Sequence, residues 1–524
     1  MHVGQHPDDA CRSVRASLDL SPFLVWGLRG VVVAFVCFHA YTLAQRQPFL
    51  DEAWFIARAK GFSEHGYPFG ALDVGVFDRL PGYQWFFPYF PTAIQAVPFL
   101  FSDEPSLYAT RLISLCCGLV LVSCMYILGR WVSGSVTGLL AAALTLSAPF
   151  FEISGGMARI DSEAAAVGFI GLTLVLTNAR RSWIRFVMGG FLAGIAVEFH
   201  AHAAAITAPA LAAALTLGSS IRERSVSFLL TALGCALSGV LYAVLHVLPN
   251  PAGYLNFQLI AFAPTHTPPL LAFDLFLMVR GVLDACRSMI DIEFFGPLLV
   301  LLLCVGGFAL TEGRVRTIST LAVLATLSSG LLIRHKFRYY WVYFHPLTLL
   351  LVAALVTYLV RARNTGSFRR RMGARLLLGC VVSLSVGIPL GRVAAFGSVL
   401  RDGWPSNPLP DLSTLVRPDD RILGSQTFWL SLPDSRYYSP EHLIYYTRWK
   451  KGASVSDALR ELSPTLVIED EHLRFLIGAR QAGCPYVCFP DDGLERFIAS
   501  SELVTEIRNE KYGDIRLYRP RMTP

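Results

Sequence analysis

Long apolar blocks, separated by short polar segments, fill the first three quarters of the chain. A block of about twenty apolar residues is long enough to cross the hydrocarbon core of a bilayer as a helix. The pattern predicts about eleven such helices, several of them short enough to need burial between their neighbours. The predicted spans are Phe23–Ala44, Ala109–Leu128, Ser135–Phe151, Ala164–Leu176, Phe186–Phe199, Ala203–Leu217, Val226–Leu248, Phe294–Leu310, Ile318–Ile333, Trp341–Val360 and Leu376–Phe396.

The residues after about Gly397 have a different pattern, in which charged residues, Pro and Asn interrupt short apolar runs. The runs Thr465–Glu469 and Asp514–Tyr518 alternate as strands do, and Ser456–Leu462 has helical spacing. We therefore predict a transmembrane domain over 1–396 and a small domain over 397–524. The expected fold class is an α-helical polytopic membrane protein with a small α/β extracytoplasmic C-terminal domain.

The composition supports a membrane protein and argues against a nucleic-acid partner. Of the 524 residues, 53% are hydrophobic and 16% are charged, whereas soluble domains carry about 25% charged residues. A net charge of +7 would suit a nucleic acid. The arginines, however, stand in short clusters between apolar blocks, where they orient membrane proteins.

The positions of these arginines predict the orientation. Positively charged residues favour cytoplasmic loops. Arginines follow the second, fourth, sixth, eighth and tenth predicted spans, and all of them fall on the same side as Arg12 and Arg15. We therefore expect a multi-pass protein of the inner or plasma membrane with a cytoplasmic N-terminus and a long first outer loop over 45–108. An odd number of spans then places the C-terminal domain outside the cytoplasm.

The segment Trp85–Phe101 is apolar and aromatic, but it contains Pro88, Pro91 and Pro98. A span here would invert every later loop and place the arginine clusters outside. We therefore predict an interfacial or re-entrant segment whose aromatic side chains lie at the level of the lipid headgroups.

The cysteines give little information about the fold. Of the 11 cysteines, Cys484 and Cys488 share a polar segment. An extracytoplasmic location would permit a disulfide between them, but their short spacing closes a tight loop. The sequence leaves their pairing open.

Two acidic motifs fall at the predicted outer ends of the helices. Asp51-Glu52 opens an amphipathic stretch after the first span. Because adjacent helix positions point about 100° apart, one carboxylate can face a cavity while the other pairs locally. Arg159-Ile-Asp161 lies between the third and fourth spans, and charged clusters near membrane depth tend to line aqueous sites. Helix capping by Asp51 or Asp161 is the alternative explanation.

Cations and aromatic residues alternate at the same predicted face. The segment Arg334–Pro346 contains Lys336, Arg338, Tyr339 and Tyr340. Anionic lipid, or a phosphate on a long isoprenoid, would satisfy both the cations and the aromatic rings. Anchoring to lipid headgroups without a catalytic role is the alternative.

Two weaker motifs lie on this face. Arg79, in a turn before Tyr83, is either a second phosphate ligand or the ion-pair partner of Asp78. His200 and His202 have a spacing that could bind a metal, but no third ligand is evident, so we favour a structural role.

The arrangement resembles the GT-C superfamily of integral membrane glycosyltransferases, especially the protein O-mannosyltransferases and aminoarabinose transferases. The motifs that carry the resemblance are Asp51-Glu52 with the amphipathic stretch Ala53–Lys60, the basic turn Arg79–Trp85, the acidic turn Arg159–Asp161 and the segment Lys336–Pro346. The resemblance covers roughly residues 23–396. The family's His-Pro-Pro-type turn is replaced here by Leu80-Pro81-Gly82, which affects the substrate assignment more than the class.

The resemblance implies inverting transfer of a hexosyl or pentosyl group from a polyprenyl-phosphate donor to an acceptor hydroxyl on the outer face. It makes Asp51 the general base, with Glu52 and Asp161 as further catalytic residues. Asp161 would orient the acceptor or help to hold a divalent cation, although Arg and Lys could neutralise the leaving phosphate without a metal. The implied phosphate ligands are Arg79, Arg159, Lys336 and Arg338, and the implied aromatic lining is Tyr83, Tyr339 and Tyr340.

Two other functions fit parts of the sequence. A flippase or transporter of lipid-linked saccharides also needs outer cations, but it should carry polar residues through its helix centres. The apolar blocks contain few polar residues, among them Arg29, Glu198 and His246, which disfavours a transporter. A membrane-anchored assembly protein would act through its C-terminal tail. The sequence does not specify the sugar, or whether the acceptor is a lipid, another glycan or a protein.

Overall fold

The computed structural model describes residues 22–75, 77–79, 82–178, 182–261, 275–288, 313–333, 337–365, 409–481, 489–509 and 512–521. Several sequence predictions lie outside these residues. They are the spans Phe294–Leu310 and Leu376–Phe396, the proposed phosphate ligand Lys336, the pair Cys484 and Cys488, and the domain boundary after 396.

The first part of the chain is helical. Its helices are α1 (Pro22–Thr42), α2 (Leu50–His65), α3 (Tyr89–Gln95), α4 (Leu107–Ser133), α5 (Ser135–Ser147), α6 (Pro149–Ser154), α7 (Asp161–Leu176), α8 (Trp183–Phe199), α9 (Ala204–Thr216), α10 (Ile221–Tyr242), α11 (Pro251–Ala261), α12 (Leu275–Ser288), α13 (Arg314–Leu332) and α14 (His345–Thr365). Short 3₁₀ helices at Ala71–Asp73, Phe77–Arg79, Tyr83–Trp85, Val97–Leu100 and Arg338–Tyr343 connect them.

The apolar helices fit a membrane protein. Within the described residues, four helical segments are long and apolar enough to span a bilayer: Val25–Thr42, Leu107–Ser133, Ile221–Val247 and Arg314–Leu332. Shorter apolar helices lie at Ser135–Ser147, Ala201–Thr216 and His345–Tyr358. The faces of α1 and α10 that point away from the bundle expose Trp26, Val33, Leu229 and Val240, as lipid-facing surfaces do. The full number of spans stays a prediction.

Small residues let the helices of the bundle pack closely. A Cβ atom on Gly190 in α8 would lie 1.9 Å from the carbonyl oxygen of Thr231 in α10, and one on Gly234 would lie 2.0 Å from the carbonyl oxygen of Val187. Because no side chain fits at these contacts, glycine sets the approach of α8 and α10, as small residues do between membrane helices.

The segment Trp85–Phe101 forms the short helix α3 and two 3₁₀ turns, and no helix of spanning length. Glu198, near the end of α8, accepts hydrogen bonds from the backbone N–H groups of Tyr89 and Phe90. His246 lies 3.2 Å from the same carboxylate oxygen of Glu198. Glu198 and His246, which interrupt otherwise apolar blocks, therefore hold this segment against the bundle.

The C-terminal part contains a five-stranded sheet with helices. The strands are β1 (Arg421–Gly424), β2 (Arg436–Tyr438), β3 (Leu466–Glu469), β4 (Ser501–Asn509) and β5 (Gly513–Pro520), in the order β2-β1-β3-β5-β4. The helices are α15 (Pro440–Trp449), α16 (Val455–Leu462), α17 (Glu471–Gln481) and α18 (Gly493–Ala499). β1 pairs in parallel with β2 and β3, whereas β5 runs antiparallel to β3 and β4.

An ion pair joins β1 and β5, the two strands that flank β3. Arg519 of β5 donates to both carboxylate oxygens of Asp420, at 2.7 and 2.8 Å, and Asp420 directly precedes β1. The predicted strands at Thr465–Glu469 and Asp514–Tyr518 coincide with β3 and β5, and the predicted helix at Ser456–Leu462 coincides with α16.

The C-terminal part shares hydrophobic cores with the first long loop and with α11. In one core, Phe77, Phe87 and Phe257 pack with Leu443 and Tyr446. In the other, α2 contributes Ala53, Ile56 and Ala57, which pack with Ile422, Phe428 and Trp429 of the sheet region. This packing places α15 and the sheet beside α2, where the acidic pair lies.

Candidate active site

Helix α2 gives its two carboxylates different environments. The side chain of Asp51 is 37% exposed, whereas that of Glu52 is fully buried. The N-cap of the helix is Phe49, whose backbone N–H donates to Glu52 at 2.7 Å. The alternative in which Asp51 is the N-cap is therefore wrong: the N-cap is Phe49, Glu52 makes the capping hydrogen bond, and Asp51 is left at the open side of the helix.

Glu52 lies at the centre of a buried hydrogen-bond network. Arg111, in the first turns of α4, donates to its two carboxylate oxygens at 2.7 Å each. The backbone N–H of Ala158 also donates to Glu52, at 2.6 Å. Arg111 further donates to the carbonyl oxygens of Leu43, Arg46 and Gln47. The pair thus fixes the end of α1, the start of α2 and the turn that carries Arg159.

Arg159 lies between the two acidic motifs. Its guanidinium hydrogen-bonds Asp51, and its Nε donates to Asp161 at 2.9 Å. Its Cζ also lies 3.8 Å from the centre of the Tyr339 ring, a cation–π contact. Burial disfavours the charged form, but the carboxylates of Asp161 and Asp51 hold the pKa of Arg159 well above its usual value. Arg159 is therefore a fixed positive charge beside Asp51.

Asp161 is fully buried at the start of α7. It accepts a hydrogen bond from the Tyr343 hydroxyl at 3.0 Å, and His200 Nε2 lies 3.9 Å from its Oδ1. As the first residue of the helix it also suits the positive end of the helix dipole. Its contacts make it an anchor for Arg159 and Tyr343.

Aromatic rings form one wall beside Arg159. Tyr339 and Tyr340 contact each other with ring centres 4.5 Å apart. His202 contacts Tyr340 at 4.1 Å, and His200 contacts Tyr343 at 5.8 Å. The His-x-His motif therefore packs against the tyrosine cluster, which agrees with a structural role.

The other site residues predicted from the sequence, Arg338, Tyr83 and Arg79, have no described contact with Asp51, Arg159 or Asp161. Arg338 is exposed at the start of the 3₁₀ helix that carries Tyr339. Tyr83 packs against Phe69, with ring centres 5.1 Å apart, in the loop that contacts the C-terminal part. Arg79 lies in the 3₁₀ helix Phe77–Arg79, and its side chain lies outside the described part of the structure. The structure therefore brings together Asp51, Arg159, Asp161, Tyr339 and Tyr340.

A divalent cation between Asp51 and Asp161 does not fit this arrangement. The Arg159 guanidinium contacts both carboxylates, so a cation between them would have to displace it. In the part of the chain that the structure describes, no three His, Cys, Asp or Glu side chains lie close enough together to hold a metal ion.

Comparison with known proteins gives the fold. No protein-family model matches the chain, and no curated protein matches its sequence. The structure is similar to ArnT from Cupriavidus metallidurans bound to undecaprenyl phosphate, with a TM-score of 0.54 and 13% identity over 95% of this chain and 98% of that one. The apo state of the same protein gives a TM-score of 0.52 and 13% identity over 94% and 97% of the two chains.

The chain has the fold seen in ArnT. The fold that the resemblance implied is thereby confirmed. The oligosaccharyltransferase AglB from Archaeoglobus fulgidus, in complex with an inhibitory peptide and a dolichol-phosphate, also matches, with 12% identity over 96% of this chain and 75% of that one. The TM-score of that match is 0.46.

Within this GT-C fold, sequence analysis missed Arg58. It follows Asp51 by seven positions on α2, so the two lie on the same side of the helix. Its Nε and Nη2 donate to Asp73 at 3.0 and 2.8 Å, and its Cζ lies 3.7 Å from the centre of the Phe87 ring. The i, i+7 spacing could have placed Arg58 on the same side of α2 as Asp51. Nothing in the sequence identified Asp73 as its partner.

Proposed function

We propose that the protein is an integral membrane glycosyltransferase that moves a hexosyl or pentosyl group from a polyprenyl-phosphate donor to an acceptor hydroxyl, with inversion. The observation that carries the proposal is the half-exposed carboxylate of Asp51, fixed by Arg159 beside an aromatic wall. The fold supports it, since ArnT with the same fold was crystallised with undecaprenyl phosphate. The acceptor is a glycan, lipid or protein.

The proposal includes the topology drawn from the sequence. We place the site at the outer face of the inner or plasma membrane, with about eleven spans and a cytoplasmic N-terminus. The small C-terminal domain over 397–524 is extracytoplasmic in this arrangement, on the same side of the membrane as the site. The shared cores between α2 and the sheet region support this placement.

Asp51 acts as the general base in this mechanism. A carboxylate is the form that accepts the hydroxyl proton, and the hydrogen bond from Arg159 holds that of Asp51 in place. Asp161 is fully buried and holds Arg159 and Tyr343 in place, so we propose that it orients the acceptor indirectly, through Arg159. Glu52 has both oxygens in the Arg111 network, so we assign it a positioning role and not direct chemistry.

We assign Arg338 to the leaving phosphate, as the sequence resemblance implies. It is exposed next to Tyr339, whose ring stacks on Arg159. We add Arg79 and Lys336 to the phosphate ligands from their sequence context. Charged donors aimed at the departing phosphate stabilise the charge that develops in the transition state.

Donor turnover by the purified protein tests the proposal. Wild type in detergent would be incubated with labelled polyprenyl-phosphate sugars and a crude envelope extract as the acceptor source. We expect release of polyprenyl phosphate that depends on the extract. A flippase would instead move intact donor across proteoliposome membranes and release no polyprenyl phosphate, in proteoliposomes or in detergent. That result would contradict a transferase.

We also expect transfer to persist in excess EDTA, at a rate within about twofold of the untreated enzyme, since Arg159 supplies the positive charge between the two carboxylates. The measurement is the initial rate before and after dialysis against the chelator. Loss of transfer that is restored by adding Mg²⁺ or Mn²⁺ would contradict this assignment of Arg159.

A further inference from the structure

Helix α15 of the C-terminal part lies along the same side of α2 as Asp51. The ring of His442 lies 6.5 Å from that of Trp54, which is one turn after Asp51 on α2. One turn further along α15, the ring of Tyr445 lies 5.2 Å from that of Phe77. Arg448 follows Tyr445 by three positions, so the two are neighbours on the surface of α15, although Arg448 lies about 120° around the helix from His442.

The charges around Tyr445 agree with this placement. Burial raises the pKa of its phenol to about 12, and the negative charges of Glu441 and Asp51 act in the same direction. The positive charges of Arg448 and Arg58 act in the opposite direction. Tyr445 is therefore within electrostatic range of both charged residues on the open side of α2.

Arg448 has no anionic partner in the described structure. Its guanidinium carbon lies 5.7 Å from the centre of the Tyr445 ring, and its side chain is half-buried. It makes no hydrogen bond or ion pair with any residue that the structure describes. By contrast, Arg58 is paired with Asp73 and Arg460 with Asp457. A partly desolvated guanidinium without a partner favours binding of an anion.

We propose that Tyr445 and Arg448 of α15 form an anion-binding subsite of the substrate cleft, across from the Asp51 side of α2. The inference rests on the proposed function. The group bound is a phosphate or carboxylate, which belongs either to the polyprenyl-phosphate donor or to an acidic group on the acceptor. Tyr445 supports the guanidinium with its ring, and Arg448 pairs with the anion.

Binding and kinetics of Arg448 variants test the subsite. Binding of undecaprenyl phosphate to Arg448→Gln and Arg448→Lys would be measured by ligand-induced thermal shift and titration, and the KM for the acceptor would be measured separately. Arg460→Gln is the matched control, because Arg460 is exposed on α16 and pairs locally with Asp457. Tyr445→Leu, which removes the ring beneath Arg448, should weaken the same step as Arg448→Gln.

We expect Arg448→Gln either to weaken undecaprenyl phosphate binding or to raise the acceptor KM by at least about tenfold, in line with loss of a charge-assisted hydrogen bond. Arg448→Lys keeps the charge, so its effect on the same quantity should be smaller. Weaker binding of undecaprenyl phosphate assigns the anion to the donor. A raised acceptor KM with unchanged undecaprenyl phosphate binding and kcat assigns it to the acceptor. Unchanged binding and KM in an enzyme that transfers sugar would overturn the subsite alone. A wild type that neither binds undecaprenyl phosphate nor transfers sugar would overturn the proposed function, and the subsite with it.

Discussion

Asp51→Asn should lower the rate of sugar transfer by at least about a hundredfold, the usual contribution of a general base. The amide keeps an oxygen that can accept the hydrogen bond from Arg159, so the geometry of the site is retained. It cannot take the proton of the acceptor hydroxyl. Because Asp51 is reached from solvent whereas Glu52 is buried, no neighbouring carboxylate on α2 can replace it.

The measurement is single-turnover release of polyprenyl phosphate, together with donor binding and the thermal unfolding midpoint. We expect donor binding and the midpoint to stay close to those of wild type, since Arg159 keeps its pairing with Asp161. Asp434→Asn is the matched control, because its side chain is 95% exposed and lies 4.0 Å from Lys60 at the other end of α2. Equal transfer by wild type and Asp51→Asn would remove Asp51 from the chemistry.

The helical bundle and part of the site were predictable because their signals are local. Apolar blocks give the helices, and carboxylates at the ends of those blocks drew attention to Asp51 and Asp161. The 100° step between adjacent helix positions also indicated that Asp51 and Glu52 have different roles. The periodicity could not indicate which of them faces the cavity, because that depends on where Arg111 lies.

The rest of the site depends on pairings between residues far apart in the chain. Glu52 meets Arg111 across 59 positions and Ala158 across 106. The arginine stands inside a predicted span, where a charge signals a buried partner or function, but the sequence does not identify that partner.

The partner of helix α15 could not be identified from the sequence either. Its amphipathic pattern indicates a buried face, which any element of the small domain could cover. In the structure, that face meets Trp54 and Phe77 of the first loop. A domain boundary based on composition therefore separates residues that share one core.

Arg111→Met should lower stability by about 3–5 kcal/mol, the usual cost of breaking a buried ion pair on one side. Glu52 would keep a buried charge with only the N–H groups of Phe49 and Ala158 as donors. The carbonyl oxygens of Leu43 and Arg46 would also lose a donor. The measurement is the thermal unfolding midpoint in detergent, with Arg130→Met as the control because Arg130 is exposed on the same helix.

The double variant Arg111→Met with Glu52→Leu separates the effect of this ion pair on stability from its effect on the geometry of the site. Replacing both charges by apolar side chains should recover much of the stability, since a buried pair is often no better than a hydrophobic replacement. Transfer activity should stay low, because the Ala158 N–H then lacks the acceptor that holds the turn beside Arg159. Recovery of stability and activity together would contradict the positioning role and leave the pair with a purely structural one.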